Sequence, residues 1–217
     1  MRRQQGFTLV EVLVALSILA LMGSMSWIGM NALLQSKERT EQRGVENAQL
    51  QITLAQWAND LDQAWQPSGM QPMGWDGKVF RLTRRAQVLE QGVVIVAWAV
   101  RSGEQGSQWM RWQSRPFLRV QEWKQAWEQA GNWGRGAING ADEARLMPAN
   151  AVDVYLWEGS TWVNAQSSQA TRPRGAGLSR LSSTLPQQPK GVRLVLHTPA
   201  GDVTKDWIAP TWSEQRS

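Results

Sequence analysis

Glu11 stands alone in its neighbourhood. From Phe7 to Met30 it is the one ionisable side chain, and nearly everything around it is apolar or small. A carboxylate held in hydrocarbon costs about 2.5–3.5 kcal/mol even on the lenient insertion scale, so an isolated one calls for a function. Gly6 sharpens the reading. Were the chain cut after Gly6, Phe7 would carry a free α-amino group with an ordinary pKa near ~8. Glu11 would then lie about one helical turn away, ~6 Å along the axis. Beside a second such helix, its carboxylate could neutralise that helix's new amine. This is chemistry for self-assembly rather than for catalysis.

Catalytic chemistry has little to draw on elsewhere. His197 is the single histidine and there are no cysteines, which excludes His-pair and thiolate metal sites, and disulfides with them. No serine sits in a G-x-S-x-G elbow. Gly131 to Gly136 and Gly175 to Gly177 lack the lysine and spacing of a phosphate loop. The acidic pairs Asp60/Asp62 and Asp142/Glu143 lack the alternating oxygen ligands of a calcium loop, and Asp60 and Asp62 do not share a helix face. The expectation is no enzyme, no cofactor and no metal. The fourteen tryptophans are open to two readings. Trp109 and Trp112, interleaved with Arg111 and Arg115, could stack sugars or single-stranded nucleic acid. Packing in cores and interfaces is the better-supported use, because Trp98 lies in an apolar strand and Trp57, Trp65, Trp123 and Trp127 fall on helical faces.

The elements that must position Glu11 begin with a long helix. No proline follows the leader before Pro67, so nothing forces an early break, and a helix from Thr8 to about Ala64 would run roughly 85 Å. Gly23, Gly29 and Gly44 each weaken it by ~1 kcal/mol relative to alanine; Gly23 and Gly29 either permit close helix approach or melt it locally. Lys37 to Glu46 forms a charged collar, beyond which Leu50, Leu54, Trp57, Leu61 and Trp65 keep helical spacing. Pro67-Ser68-Gly69 ends the helix.

Strands joined by turns follow. They are expected at Val79–Arg85, Val93–Arg101, Gln108–Ser114, Val154–Trp157, Thr161–Asn164, Val192–Thr198 and Val203–Ile208, with a short amphipathic helix at Val120–Ala130. Val93–Arg101 is apolar enough to be buried on both faces. The sequential hairpins argue for an antiparallel sheet packed on the second half of the long helix. The pattern places His197 opposite Val192, Leu194 and Leu196, exposed or facing a partner. Residues 166–190, rich in Ser, Gln, Pro and Arg, read as a mobile loop. Its Arg172, Arg174 and Arg180 could meet an acidic partner, though a solvated basic loop is the simpler reading.

The domain plan is therefore a leader at 1–6, an apolar helix at 7–30, its amphipathic continuation at 31–65 and a head at 66–217. The 217 residues leave room for one modest globular domain beyond the apolar segment. The net charge of +5 falls to +3 once Arg2 and Arg3 are set aside with the leader, which makes nucleic acid an unlikely partner. Two arginines before the span and mixed charges after it favour a cytoplasmic N-terminus and a head outside. A secretory signal cut near Ser24-Met25-Ser26 is the competing view, but Glu11 within the apolar core speaks against it. A plain single-span anchor leaves Gly6 and Glu11 unexplained.

The basic leader, Gly6, Phe7-Thr8-Leu9-Val10-Glu11 and the apolar helix resemble the class III signal of type IV pilin-like proteins. The resemblance implies an α+β pilin-like fold, a long N-terminal helix packed on an antiparallel β head. It also implies cleavage between Gly6 and Phe7 by a prepilin peptidase, N-methylation of Phe7, and an assembly contact made by Glu11. Further stretches resemble the J-type minor pseudopilins of type II secretion systems (the general secretion pathway J family): Leu54 to Leu61, Arg81 to Arg85, Val94 to Arg101, Trp109 to Pro116, Tyr155 to Asn164 and Gly191 to Trp207. That likeness implies a subunit at the tip of a periplasmic pseudopilus. Its partners would be the I- and K-type minor pseudopilins, with H linking to the shaft and an inner-membrane assembly platform below. The chain would be single-pass in the inner membrane before assembly. A minor pilin of a type IV pilus or DNA-uptake filament shares the N-terminal argument, and a membrane-tethered periplasmic binding module using Trp109 and Trp112 is the rival from another class.

Overall fold

An unbroken run of helix formers with no proline gives one long helix, α1 (Leu9–Asp62), in a computed structural model that describes residues 8–87, 92–104, 106–136, 142–166 and 189–210. Gly23, Gly29 and Gly44 all lie within it without a break. The chain divides into a helical unit through Ala48 and a head beginning at Gln49. The leader residues, Gly6 and Phe7 lie outside the described residues. So does most of the 166–190 loop, including Arg172, Arg174 and Arg180.

In the head, α1 stops before Trp65. Ala64 forms a β-bridge with Arg84, and the Trp65 N–H donates to the Thr83 carbonyl at 2.9 Å. The chain has turned to pair with a strand, with Pro67 two residues further on. The amphipathic pattern alone would carry the helix to Trp65; sheet pairing ends it sooner.

All the strands pair antiparallel, as expected, but in two sheets rather than one. The first has the order β1-β2-β3-β4-β5: β1 (Met73–Trp75), β2 (Val79–Arg85), β3 (Val93–Gly103), β4 (Gly106–Gln113) and β5 (Glu143–Pro148). The second has the order β7-β6-β8-β9: β6 (Ala151–Glu158), β7 (Thr161–Asn164), β8 (Gly191–Thr198) and β9 (Gly201–Ile208). A helix, α2 (Val120–Gly134), intervenes between β4 and β5. Hairpin signals in a sequence are local. They mark β8–β9 and β6–β7 but do not say which hairpins share a sheet.

β3 explains the layering. Val93 through Ala99 are all buried, and side chains alternate across the pleat. Val94, Val96 and Trp98 join a core with Trp57 and Leu61 of α1 and with Val154, Leu156, Leu194 and Leu196 of the second sheet. Val93, Ile95, Ala97 and Ala99 join another with Trp123, Ala126, Ala130 and Trp133 of α2. The first sheet is thus covered on both faces, which is why Val93 through Ala99 of its central strand are apolar throughout. Trp57 packs at 4.8 Å from Phe80 and 5.4 Å from Trp98, and Trp98 stacks on Trp109 at 5.4 Å. Each such pair is worth about 0.5–1.5 kcal/mol beyond its buried area.

Several tryptophans also tie elements together through the indole N–H. Trp123 of α2 donates to Thr83 Oγ1 at 2.9 Å, Trp133 of α2 to Glu143 at 2.8 Å, and Trp207 of β9 to Asp62 at the end of α1 at 2.7 Å. Packing with one polar tie each accounts for these three.

Candidate functional site

Thr8-Leu9-Val10-Glu11 is a T-x-x-E sequence, and at the start of α1 it folds as a capping box. Glu11 Oε2 accepts from the Thr8 backbone N–H at 2.9 Å and from the Thr8 hydroxyl at 2.8 Å, while the Glu11 N–H donates to Thr8 Oγ1 at 3.4 Å. Two backbone donors at the helix start, the Thr8 and Glu11 N–H groups, are satisfied in this way. The carboxylate therefore sits at the helix N-terminus, where the peptide dipoles favour negative charge, and it is fully exposed. Among the described residues its hydrogen-bond partners are groups of Thr8, so there an approaching cation meets it without having to break a tertiary contact.

Around it, every residue from Thr8 to Gln49 is exposed. Large apolar side chains such as Leu9, Met25 and Trp27 are 73–78% exposed. This helix is long and apolar enough to cross a membrane, with a mean hydropathy of 2.1 over its most apolar stretch and none of that stretch buried. Ser17 and Ser24 return their hydroxyls to the carbonyls of Leu13 and Ala20 at 2.8 Å, the usual way a hydroxyl is satisfied where water is scarce. Lipid and other helices are the solvents that suit such a surface.

The head contains no comparable reactive constellation among the described residues. His197 lies on the face of β8 opposite Val192, Leu194 and Leu196, as the alternation predicts. Its Nδ1 is 2.8 Å from Asp202 and its Nε2 is 3.1 Å from Asp153. With a carboxylate on each ring nitrogen, the imidazole has no free nitrogen to activate a nucleophile. Among the described residues no cluster of three or more His, Asp or Glu side chains could hold a metal. Trp109 and Trp112 are buried and offer no open face to a sugar or base. Arg111, read as a basic neighbour of those rings, is instead bound to Asp60.

The bracketed histidine makes a measurable prediction. Side-chain hydrogen bonds that the imidazolium donates to Asp153 and Asp202, in that order, raise the His197 pKa above its ordinary value. A folded pKa above the unfolded one contributes stability that is complete below the unfolded value, ~6.5 for histidine, and is lost as pH rises through the folded value. The head is thus expected to be more stable on the acid side of that window than above it. Because His197 is the single histidine, its imidazole resonance in an NMR titration reports the shift without ambiguity. Asp153→Asn and Asp202→Asn should each lower the midpoint, the former more; a midpoint at or below the ordinary value would refute the pairing.

Sequence reasoning weighed Asp60 only as a calcium ligand and missed its ion pairs. Asp60, in the last turn of α1, is completely buried. Its carboxylate accepts a bidentate pair from Arg111, Nε at 2.7 Å and Nη2 at 2.9 Å, and the Trp98 indole N–H at 3.0 Å. Arg84 Nε approaches at 3.5 Å. Arg84 also donates through Nη1 to Gln63 Oε1 and through Nη2 to Gln113 Oε1, which accepts from Arg111 Nη2 as well. Burial pulls the Arg84 guanidinium below its ordinary pKa, and Asp60 draws it back up. A signal existed: Asp60 lies three residues after Trp57 and next to Leu61, on the apolar stripe of α1. A carboxylate there needs a cation.

The comparisons with known proteins bear on the N-terminus. The family model of the prokaryotic N-terminal methylation motif matches residues 1–27, the stretch that holds Gly6, Phe7 and Glu11. That motif indicates a type IV pilin-like prepilin N-terminus, and it implies a prepilin peptidase and assembly with other pilin-like subunits in a membrane system. No curated protein and no solved structure matches the chain.

Proposed function

We propose that this protein is a minor pseudopilin of the J type, acting at the tip of a type II secretion pseudopilus in the export of folded proteins across an outer membrane. The observation that carries the filament part is the lone Glu11 at the capped start of an exposed, membrane-length apolar helix, within a matched methylation motif. The J assignment is supported by the stretches of likeness that run through α1, β2, β3, β4, β6, β7, β8 and β9. In this reading the prepilin peptidase cuts between Gly6 and Phe7 and methylates Phe7. The apolar helix waits in the inner membrane with the head in the periplasm, and Glu11 neutralises a neighbour's Phe7 amine as the subunit enters the filament. I- and K-type minor pseudopilins pack against its helix, with H below.

A clean deletion tests the system, scored for culture-supernatant proteins and surface pili side by side. Folded proteins trapped in the periplasm while pili persist is the expected result. Loss of pili or DNA uptake with secretion unchanged would move the subunit to a type IV pilus. No change in either would favour a tethered binding module.

A further inference from the structure

At the end of the head where α1 finishes lies a pocket of about 460 Å³, lined by Trp65, Pro67, Met70, Val93, Phe117 and Leu118. Its apolar rim is open: Leu118 is 72% exposed and Trp65 39%. These side chains are held in place rather than splayed by chance. Phe117 and Val93 exchange two backbone hydrogen bonds, at 2.9 and 3.0 Å, which presents Leu118 outward. Gly92, at φ +84°, lets this happen, because a Cβ there would lie 2.4 Å from the Phe117 carbonyl oxygen and 2.6 Å from Leu118 Cδ2. A surface ordered before binding loses little entropy on binding.

The charge around this rim is mainly positive, three arginines against the single carboxylate of Glu122. Arg85 lies over the Trp65 ring at 5.2 Å, and Arg115 and Arg119 line the adjoining surface with Pro116, Phe117 and Leu118. All three arginines are exposed, and among the described residues none is in an ion pair. The nearby carboxylate, Glu122, is engaged by the Arg119 backbone N–H at 3.2 Å at the start of α2. Several other arginines of the head are matched: Arg81 and Arg135 with Asp76, Arg101 with Glu143, Arg193 with Asp206. Three arginines that are in no ion pair among the described residues outnumber Glu122 around this apolar pocket, a net positive frame complementary to a segment that combines an apolar anchor with flanking carboxylates.

We infer that this pocket is a docking site for an acidic, amphipathic segment of another protein, whose leucine, methionine or aromatic side chain fills the space beside Trp65 and Leu118 while its Asp and Glu residues meet Arg85, Arg115 and Arg119. The inference does not depend on which filament the chain joins. The apolar pocket supplies affinity and the arginine rim supplies orientation and salt dependence.

The test pans the full chain, reconstituted in nanodiscs of zwitterionic lipid, against a random peptide library displayed on phage. Enriched peptides are expected to carry Asp or Glu on either side of one large apolar residue. Their affinity should fall on the order of tenfold for Leu118→Asp and for the combined charge reversal Arg85→Glu, Arg115→Glu, Arg119→Glu. Lys-for-acid versions of the same peptides should recover binding to the charge-reversed chain. Both variants replace exposed side chains, and thermal melting verifies that they fold. The inference is overturned by a library that yields no enrichment, by peptides lacking acidic residues, or by affinity indifferent to these substitutions. Binding to anionic phosphatidylglycerol vesicles in place of peptides, or self-association lost in Leu118→Asp, would equally overturn it.

Discussion

Asp60→Ala is expected to destabilise the head by about 3–5 kcal/mol, the cost of leaving buried charge without its partner. Arg84 and Arg111 have side chains only 4% and 14% exposed. Without the carboxylate they face each other across a dry site with no anion between them, and the Trp98 indole loses its acceptor. Folded domains have about 5–15 kcal/mol in hand, so the loss takes a large share of the whole. Denaturant unfolding of the full chain in detergent, followed by tryptophan fluorescence, reads it as a shifted midpoint. The triple replacement Asp60→Leu, Arg84→Met, Arg111→Met separates pairing from packing. Removing all the charges removes the desolvation cost too, so the triple variant should be far more stable than Asp60→Ala. If Asp60→Ala unfolds within about 1 kcal/mol of the parent, the network is not what holds α1 to the first sheet.

Glu11 gives the second large effect, and the capping box makes it separable. If the carboxylate matters only as a cap, Glu11→Gln should preserve function, because glutamine fills the same place in a capping box. If it matters by neutralising a neighbour's Phe7 amine, glutamine fails as leucine does. The proposed assembly role predicts that both variants reach the membrane and are processed. Both should then fall on the order of tenfold or more in the filament fraction, a coupling of ~1.4 kcal/mol or above. Glu11→Leu should insert at least as well as the parent, since it removes a charge from hydrocarbon. Normal filament yield from Glu11→Gln would reduce the residue to a helix cap.

The fold was legible where side chains alternate strongly. β2 and β7 have the expected bounds, β8 begins one residue early, and α2 extends past Ala130 because Trp133 continues its buried face. β5 was missed because Glu143–Pro148 is an edge strand with half-exposed residues and a terminal proline, so no face is marked by hydrophobicity. β1 is three residues long and too short to show a period. The division into two sheets depends on β5 returning to β4 across α2, a long-range pairing with no local signature. At the N-terminus the opposite holds. Glu11 was legible because its environment is set by its immediate neighbours, whereas the Asp60 site is assembled from Arg84, Trp98, Arg111 and Gln113, and only the intrusion of Asp60 on an apolar stripe hints at it.

The central claim is that this chain is a prepilin-type subunit whose new N-terminus is part of its assembly chemistry. Mass spectrometry of the N-terminal peptide, from the chain isolated from native membranes, tests that most directly. The account predicts a mature chain that begins at Phe7, with a single methyl group on its α-amine. A chain that still begins at Met1, or one cut near Ser26, would contradict it and return the helix to an anchor or a secretory signal.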